Sequence, residues 1–216
     1  MKRLFNPRLY LVTDRDLAGG RGLENVVAAA ARGGVTAVQL REKRLETAAF
    51  IQAAVRLKSL LIPFGIPLLI NDRVDIALAA GADGVHLGQS DASPEEARRR
   101  LGPDAVIGLS VETMAQARAA AGRDIDYLGV SPVFATPTKP EAGPGWGLEG
   151  LRALRVSIAL PLVAIGGISA ANAAAVLEAG ADGLAVVSAI MAAADPEGAA
   201  RGLRMLIDGT GTSAQA

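Results

Sequence analysis

Ala80-Gly81-Ala82-Asp83-Gly84 recurs as Ala179-Gly180-Ala181-Asp182-Gly183. Each copy follows an amphipathic stretch rich in Ala and Leu and leads into a short apolar run. Gly81 and Gly180 suit the left-handed position just past a helix end, where a side chain would be strained. The same helix-to-strand joint therefore stands at two places in one chain.

Working outward, eight runs have the composition of buried strands: Leu9–Thr13, Thr36–Leu40, Pro67–Asn71, Gly84–Leu87, Val106–Leu109, Tyr127–Val130, Leu162–Ile165 and Gly183–Val187. Helical patterns follow them near 24–33, 46–60, 73–80, 94–101, 112–121, 148–156, 170–179 and 197–207. Strict alternation of this kind predicts βα units and a parallel sheet. Eight units in 216 residues predict one α/β domain, a single (β/α)8 TIM barrel over 1–208, with 209–216 as a disordered tail. A doubly wound open sheet is the runner-up, but Gly19, Gly20 and Gly22 do not form the GxGxxG turn of its dinucleotide site. In the barrel the two copies enter strands four and eight, half a barrel apart. Asp83 and Asp182 then sit at the N-terminal ends of strands, where polar residues support the fold.

Composition narrows the chemistry. The formal net charge is zero, the hydrophobic fraction 50% and the charged fraction 20%, which gives no basic surface for nucleic acid. The run Arg98 to Arg100 follows Glu95 and Glu96 and reads as a solvated helix face. No cysteine is present, so disulfides, thiolate metal sites and cysteine nucleophiles are excluded. The one histidine, His86, excludes multi-histidine metal sites and reads as a packed or hydrogen-bonded barrel residue. Met1 to Arg8 lacks the apolar core of a signal peptide, and Leu60 to Ile70 is too broken by proline and glycine to span a bilayer. The expectation is a cytoplasmic protein without membrane association; a homo-oligomer is left open.

Chemistry in such a barrel collects where strands end and helices begin, and unusual polar residues cluster there. Gln39, Arg41 and Lys43 alternate, so an extended segment projects them to one side, a grouping suited to a polyanion such as pyrophosphate. Only four of the 22 basic residues are lysines, and Lys43 and Lys139 both fall on this rim. Asp72 and Asp91 end adjacent strands, and paired carboxylates with phosphate and water are the ligand pattern of Mg2+. Asp72 also reads as a cap for the following helix, whereas Ser93-Pro94-Glu95-Glu96 already caps the helix after Asp91. Ser110 is a helix cap or a hydrogen-bond donor to substrate. Gly166-Gly167-Ile168-Ser169 opens the seventh helix and Val187-Ser188 a short extra one, the usual phosphate site of the fold. The irregular stretch Phe134 to Gly147 is a candidate lid, with Trp146 packing it down.

Taken together, Gln39-Leu-Arg-Glu-Lys43, Asn71-Asp72-Arg73, His86-Leu-Gly-Gln-Ser-Asp91, Gly108-Leu-Ser110, Pro132-Val-Phe-Ala-Thr-Pro-Thr-Lys139, Gly166-Gly-Ile168 and Val187-Ser188 resemble the thiamine phosphate synthase family. The resemblance runs in order from about Leu9 to Met191. It implies a transferase of thiamine biosynthesis that joins hydroxymethylpyrimidine pyrophosphate to hydroxyethylthiazole phosphate and releases pyrophosphate. By position it assigns Gln39, Leu40, Arg41, Glu42, Lys43, Asn71, Ser110 and Lys139 to the pyrimidine pyrophosphate. Of these, Arg41, Lys43, Ser110 and Lys139 would carry the catalysis. Thr136, Pro137, Thr138, Gly167, Val187 and Ser188 are assigned to the thiazole phosphate, and Asp72 and Asp91 to Mg2+. The partners implied are small phosphorylated molecules. A thiazole tautomerase on the same barrel, or a non-catalytic phosphate sensor, would not need the carboxylate pair and the cation cluster together.

Overall fold

Strands only four to six residues long, apolar on both faces, cannot be stable alone and need cover on each side. The computed structural model, which describes residues 5–135 and 145–210, gives them that cover in a closed parallel barrel. The strands are β1 (Leu9–Val12), β2 (Ala37–Leu40), β3 (Leu68–Asn71), β4 (Gly84–Leu87), β5 (Val106–Val111), β6 (Tyr127–Val130), β7 (Leu162–Ile165) and β8 (Gly183–Val186). Around them lie α1 (Arg15–Ala18), α2 (Leu23–Arg32), α3 (Thr47–Leu61), α4 (Val74–Ala80), α5 (Pro94–Leu101), α6 (Met114–Ala120), α7 (Gly147–Ser157), α8 (Ala173–Glu178), α9 (Ser188–Met191) and α10 (Pro196–Thr210). β1 pairs with β8 through Leu9–Leu184, Tyr10–Ala185 and Leu11–Val186. That seam rules out the open sheet.

Alternation along each strand divides the core in two. Outward residues such as Leu9, Leu11, Val38, Leu40, Leu68 and Ile70 pack beneath the helices. Inward residues Tyr10, Val12, Ala37, Leu69, Val106, Tyr127, Val163 and Ala185 fill the barrel, with Phe5 packed against them. Helix α3 with the turn Ile62–Phe64 is long and apolar enough to cross a membrane by length and composition. Its Phe50, Ala53, Ala54, Leu57 and Leu61 are buried at helical spacing, and it packs against α2 and α4 in the outer ring.

The repeated aspartates support the fold as expected, and the device is wider than the echo. Asp83 accepts the backbone N–H of Leu68, Asp182 that of Leu162, and Asp126 that of Ile107, each at 2.8 Å. Thr36 does the same for Leu9 at 3.0 Å. Every even-numbered strand is thus entered by a residue that satisfies an N–H in the first two residues of the strand before it. Lys58, Arg98 and Arg155 neutralise the three aspartates.

Several sequence expectations need correction. Arg98 is no solvated face residue: its side chain is 11% exposed and donates to Asp126 and to the carbonyls of Gly102, Pro103 and Ala105. β5 runs two residues further than expected and places Ser110 inside the sheet. Gly166-Gly167 does not open a helix directly, because α8 begins at Ala173. Helix α10 continues through Gly209 and Thr210, two residues into the expected tail; residues 211–216 lie outside the described ones.

Candidate active site

Two cavities distinguish the ends of the barrel. The one below the N-terminal ends of the strands, about 640 Å³, is lined by Phe5, Phe64, Ile66 and other apolar groups, and its charged residues among the described ones are Asp83 and Asp104. Such a lining offers no cation to a phosphate among the described residues. At the C-terminal end a cavity of about 890 Å³ is lined by Gln39, Arg41, Lys43, Asn71, Asp72, His86, Asp91, Ser110, Gly167, Val187 and Ser188, among others.

The strand β2 side supplies the cations. Gln39 is buried within the barrel, and Arg41 and Lys43 follow on the same side of the extended chain. Thr13 fixes this segment: its N–H donates to the Gln39 carbonyl at 2.9 Å, and its hydroxyl accepts the Arg41 N–H at 3.1 Å. Among the described residues neither Arg41 nor Lys43 has an ion-pair partner within 4.0 Å. The intervening residues turn away. Leu40 is fully buried under the helices, and Glu42 pairs with Arg15.

Asp72 does not cap α4, whose N-cap residue is Arg73 with no side-chain cap bond. Instead Asp72 has φ +63°, the only positive value at a non-glycine among the described residues. This conformation faces its carboxyl toward Asp91. Partial burial and the Asp91 charge raise the Asp72 pKa to about 6, against the pull of Arg41 and Asn71. Asp91 has a local task that the sequence did not reveal: it accepts the Gly88 N–H at 2.7 Å and so closes the β4–α5 turn. Ser93 caps α5 through the Glu96 N–H at 3.1 Å, as expected.

Ser110 is not a cap either, since Thr113 caps α6. Its hydroxyl meets His86 Nε2 at 2.8 Å, and Gln89 Nε2 donates to its carbonyl at 2.6 Å. His86 is the hydrogen-bonded barrel residue expected, with Nδ1 2.8 Å from the Tyr127 hydroxyl.

Across the mouth, Gly166 and Gly167 have φ +104° and +65°. A Cβ at Gly166 would meet Pro132 at 2.7 Å, and one at Gly167 would meet Phe134 at 2.8 Å. Both positions therefore require glycine for conformation and for space. Ser188 begins α9, which Arg21 clamps from behind by donating to the carbonyls of Met191 and Ala193. The β6–α7 connection is anchored at both ends: Phe134 N–H donates to Gly166 at 3.1 Å, and Trp146 Nε1 donates to Val111 at 3.3 Å. Trp146 packs against the core, as expected of it. Thr136, Pro137, Thr138 and Lys139 lie outside the described residues, as does most of the candidate lid.

The sequence profile described as thiamine monophosphate synthase matches residues 9–190, the whole span that carries this rim. The chain belongs to the thiamine monophosphate synthase family. It is 62% identical over 206 residues to a thiamine-phosphate synthase of Albidiferax ferrireducens, covering 95% of this chain and 94% of that one. It is 52% identical over 208 residues to one of Azorhizobium caulinodans, covering 96% and 98%. Among solved structures, a thiamine phosphate pyrophosphorylase from Pyrococcus furiosus superposes with a TM-score of 0.87 at 39% identity, covering 95% of this chain and 98% of that one.

Of the residues that the resemblance assigns to substrate or metal, those among the described residues line this one cavity, apart from Leu40 and Glu42, whose side chains leave only their backbone available. Tyr10, Thr13, Arg21 and Tyr127 had escaped sequence reasoning. The chain has only two tyrosines, each on a strand candidate. That was the available signal, but inward direction needs the strand register.

Proposed function

We propose that this chain condenses hydroxymethylpyrimidine pyrophosphate with hydroxyethylthiazole phosphate to give thiamine phosphate and pyrophosphate. The observation that carries the proposal is one cavity holding Arg41, Lys43, Asp72 and Asp91 on one side and Gly167, Val187 and Ser188 on the other. The family and its named relatives support it.

The methylene–oxygen bond of the pyrimidine substrate breaks, and the leaving pyrophosphate keeps the electron pair. The ring nitrogen of the thiazole then forms the new bond to that methylene carbon. The aminopyrimidine is electron-rich and bears the transient positive charge, so no strong base is needed. Gln39 to Lys43, Asn71, Ser110 and Lys139 hold the pyrimidine pyrophosphate, Leu40 and Glu42 through their backbone. Arg41, Lys43 and Lys139 neutralise charge on the leaving group. Thr136, Pro137, Thr138, Gly167, Val187 and Ser188 hold the thiazole phosphate, and the cavity walls exclude water.

Two facing carboxylates, one with its pKa raised by burial and by the charge of the other, fit a divalent cation, and their all-oxygen chemistry suits Mg2+. Among the described residues no third acid, histidine or cysteine joins them. Asp72 and Asp91 would hold the ion, which when bound supplies charge neutralisation for the pyrophosphate.

Purified protein with both substrates and Mg2+ should release pyrophosphate and form thiamine phosphate. No product, or full activity in EDTA, would overturn the reading. Asp91→Ala should lose about two orders of magnitude in kcat; near-normal turnover would remove Asp91 from the site.

A further inference from the structure

Beneath the substrate cavity, five side chains on five different strands form one continuous hydrogen-bonded chain. Gln39 Nε2 donates to Tyr10 Oη at 3.0 Å, Tyr10 Oη lies 3.1 Å from Tyr127 Oη, and Tyr127 Oη lies 2.8 Å from His86 Nδ1. His86 Nε2 then meets Ser110 Oγ at 2.8 Å. The barrel is carved to admit it. A Cβ at Gly108 would lie 2.1 Å from the Tyr127 ring, and one at Gly129 would lie 2.7 Å from the His86 ring. Phe5 stacks under Tyr127 at 4.9 Å between centroids and closes the floor.

The donor inventory gives this chain a direction. An amide nitrogen only donates, so Tyr10 accepts from Gln39 and passes its own proton toward Tyr127. Burial, above all, pushes both phenols above their ordinary range, so each keeps its O–H. Tyr127 accepts from Tyr10 and therefore donates to Nδ1. A neutral imidazole that accepts at Nδ1 carries its proton on Nε2. That proton points at Ser110 Oγ and turns the serine O–H toward the cavity.

We infer that Gln39, Tyr10, Tyr127 and His86 are a one-way relay that presents Ser110 to the substrate as a hydrogen-bond donor. Tyr10, Tyr127 and His86 are thus positioning residues, acting through Ser110. The partner atom is an acceptor on the pyrimidine pyrophosphate, a ring nitrogen or a leaving-group oxygen, and not the N–H of the exocyclic amine. The identity of that substrate rests on the proposed function; the location of the histidine proton does not.

One histidine in the chain makes the test direct, because a nitrogen-15 spectrum needs no assignment. At about pH 8, above the ordinary histidine pKa, long-range correlations should place the proton on Nε2. Imidazole prefers that form in water as well, so the decisive variant is Gln39→Glu. A carboxylate only accepts, every link then reverses, and the proton should move to Nδ1. A wild-type proton on Nδ1, or a proton that stays on Nε2 in Gln39→Glu, would overturn the relay.

Kinetics supply a second arm. Tyr127→Phe should lower kcat/KM about tenfold, the scale of one misdirected hydrogen bond. Added to Ser110→Ala, it should cost nothing further, because Tyr127 acts through Ser110. Additive losses would overturn the relay. A wild-type protein that makes no thiamine phosphate would sink the proposed function instead, and the spectra would still decide the relay.

Discussion

At Asp72 a partly buried carboxyl faces a second carboxyl, that of Asp91. Asp72 also has a left-handed backbone, unfavourable for any residue but glycine, asparagine and aspartate. Because its folded pKa is raised to about 6, the native protein holds a proton there that the unfolded chain has already lost. The stability this proton contributes is present at low pH and disappears as pH rises from the ordinary carboxylate value of about 4 toward 6. Asp72→Asn, which keeps the left-handed conformation without the charge, should raise the Tm of metal-free protein at pH 8. The gain should fade at pH 4, and Mg2+-dependent turnover should fall about a hundredfold. Equal Tm values for the two proteins at pH 8 would show that the ionised Asp72 carries no cost from burial or from Asp91. The sequence left Asp72 open between cap and ligand, because capping depends on a φ angle that residue type does not encode. Asp91, Arg41 and Lys43 were legible because strand ends and side-chain alternation suffice to group them.

At the scale of elements, the four polar residues that enter the even strands tie each strand to the one before it. They differ in burial, and this ranks them. Asp126 and Arg98 are each 11% exposed at the side chain, whereas Asp182 and Arg155 are 47% and 28% exposed. Asp126→Ala removes the buried partner of Arg98, which keeps Asp124 and three carbonyls, and leaves the Ile107 N–H unpaired; it should cost about 3 kcal/mol in chemical denaturation. Asp182→Ala leaves the Leu162 N–H unpaired but Arg155 within reach of water, and should cost less, about 1 kcal/mol. The reverse order would mean that burial does not set the strength of these joints. The echo at Asp83 and Asp182 made two of the four legible from sequence. Asp126 and Thr36 lie outside the repeated five residues, and Arg98 hid in a charge run, since only the third dimension shows which arginine of three turns inward.

Over the whole molecule the formal charge is zero, so attraction for a doubly phosphorylated group is local to the mouth of the barrel. Eight alternating units were enough to foresee the barrel and its rim, because connection rules leave few other topologies. The relay inside was not legible, since its members come from five strands and meet only once the register is fixed. A cavity with cations but mutually repelling carboxylates should bind pyrophosphate well only when Mg2+ is bound with it. Ligand at about a hundred times its Kd stabilises the native state by about 2.7 kcal/mol, which for a domain of this size is about 5–10 °C in Tm. Pyrophosphate with Mg2+ should produce that shift, and either alone should give less than about 2 °C. Asp91→Ala should abolish the joint effect, whereas Ser188→Ala, on the opposite half of the rim, should preserve it. An equal shift with pyrophosphate in EDTA would show that Arg41 and Lys43 bind the anion unaided, and the two carboxylates would then need another role.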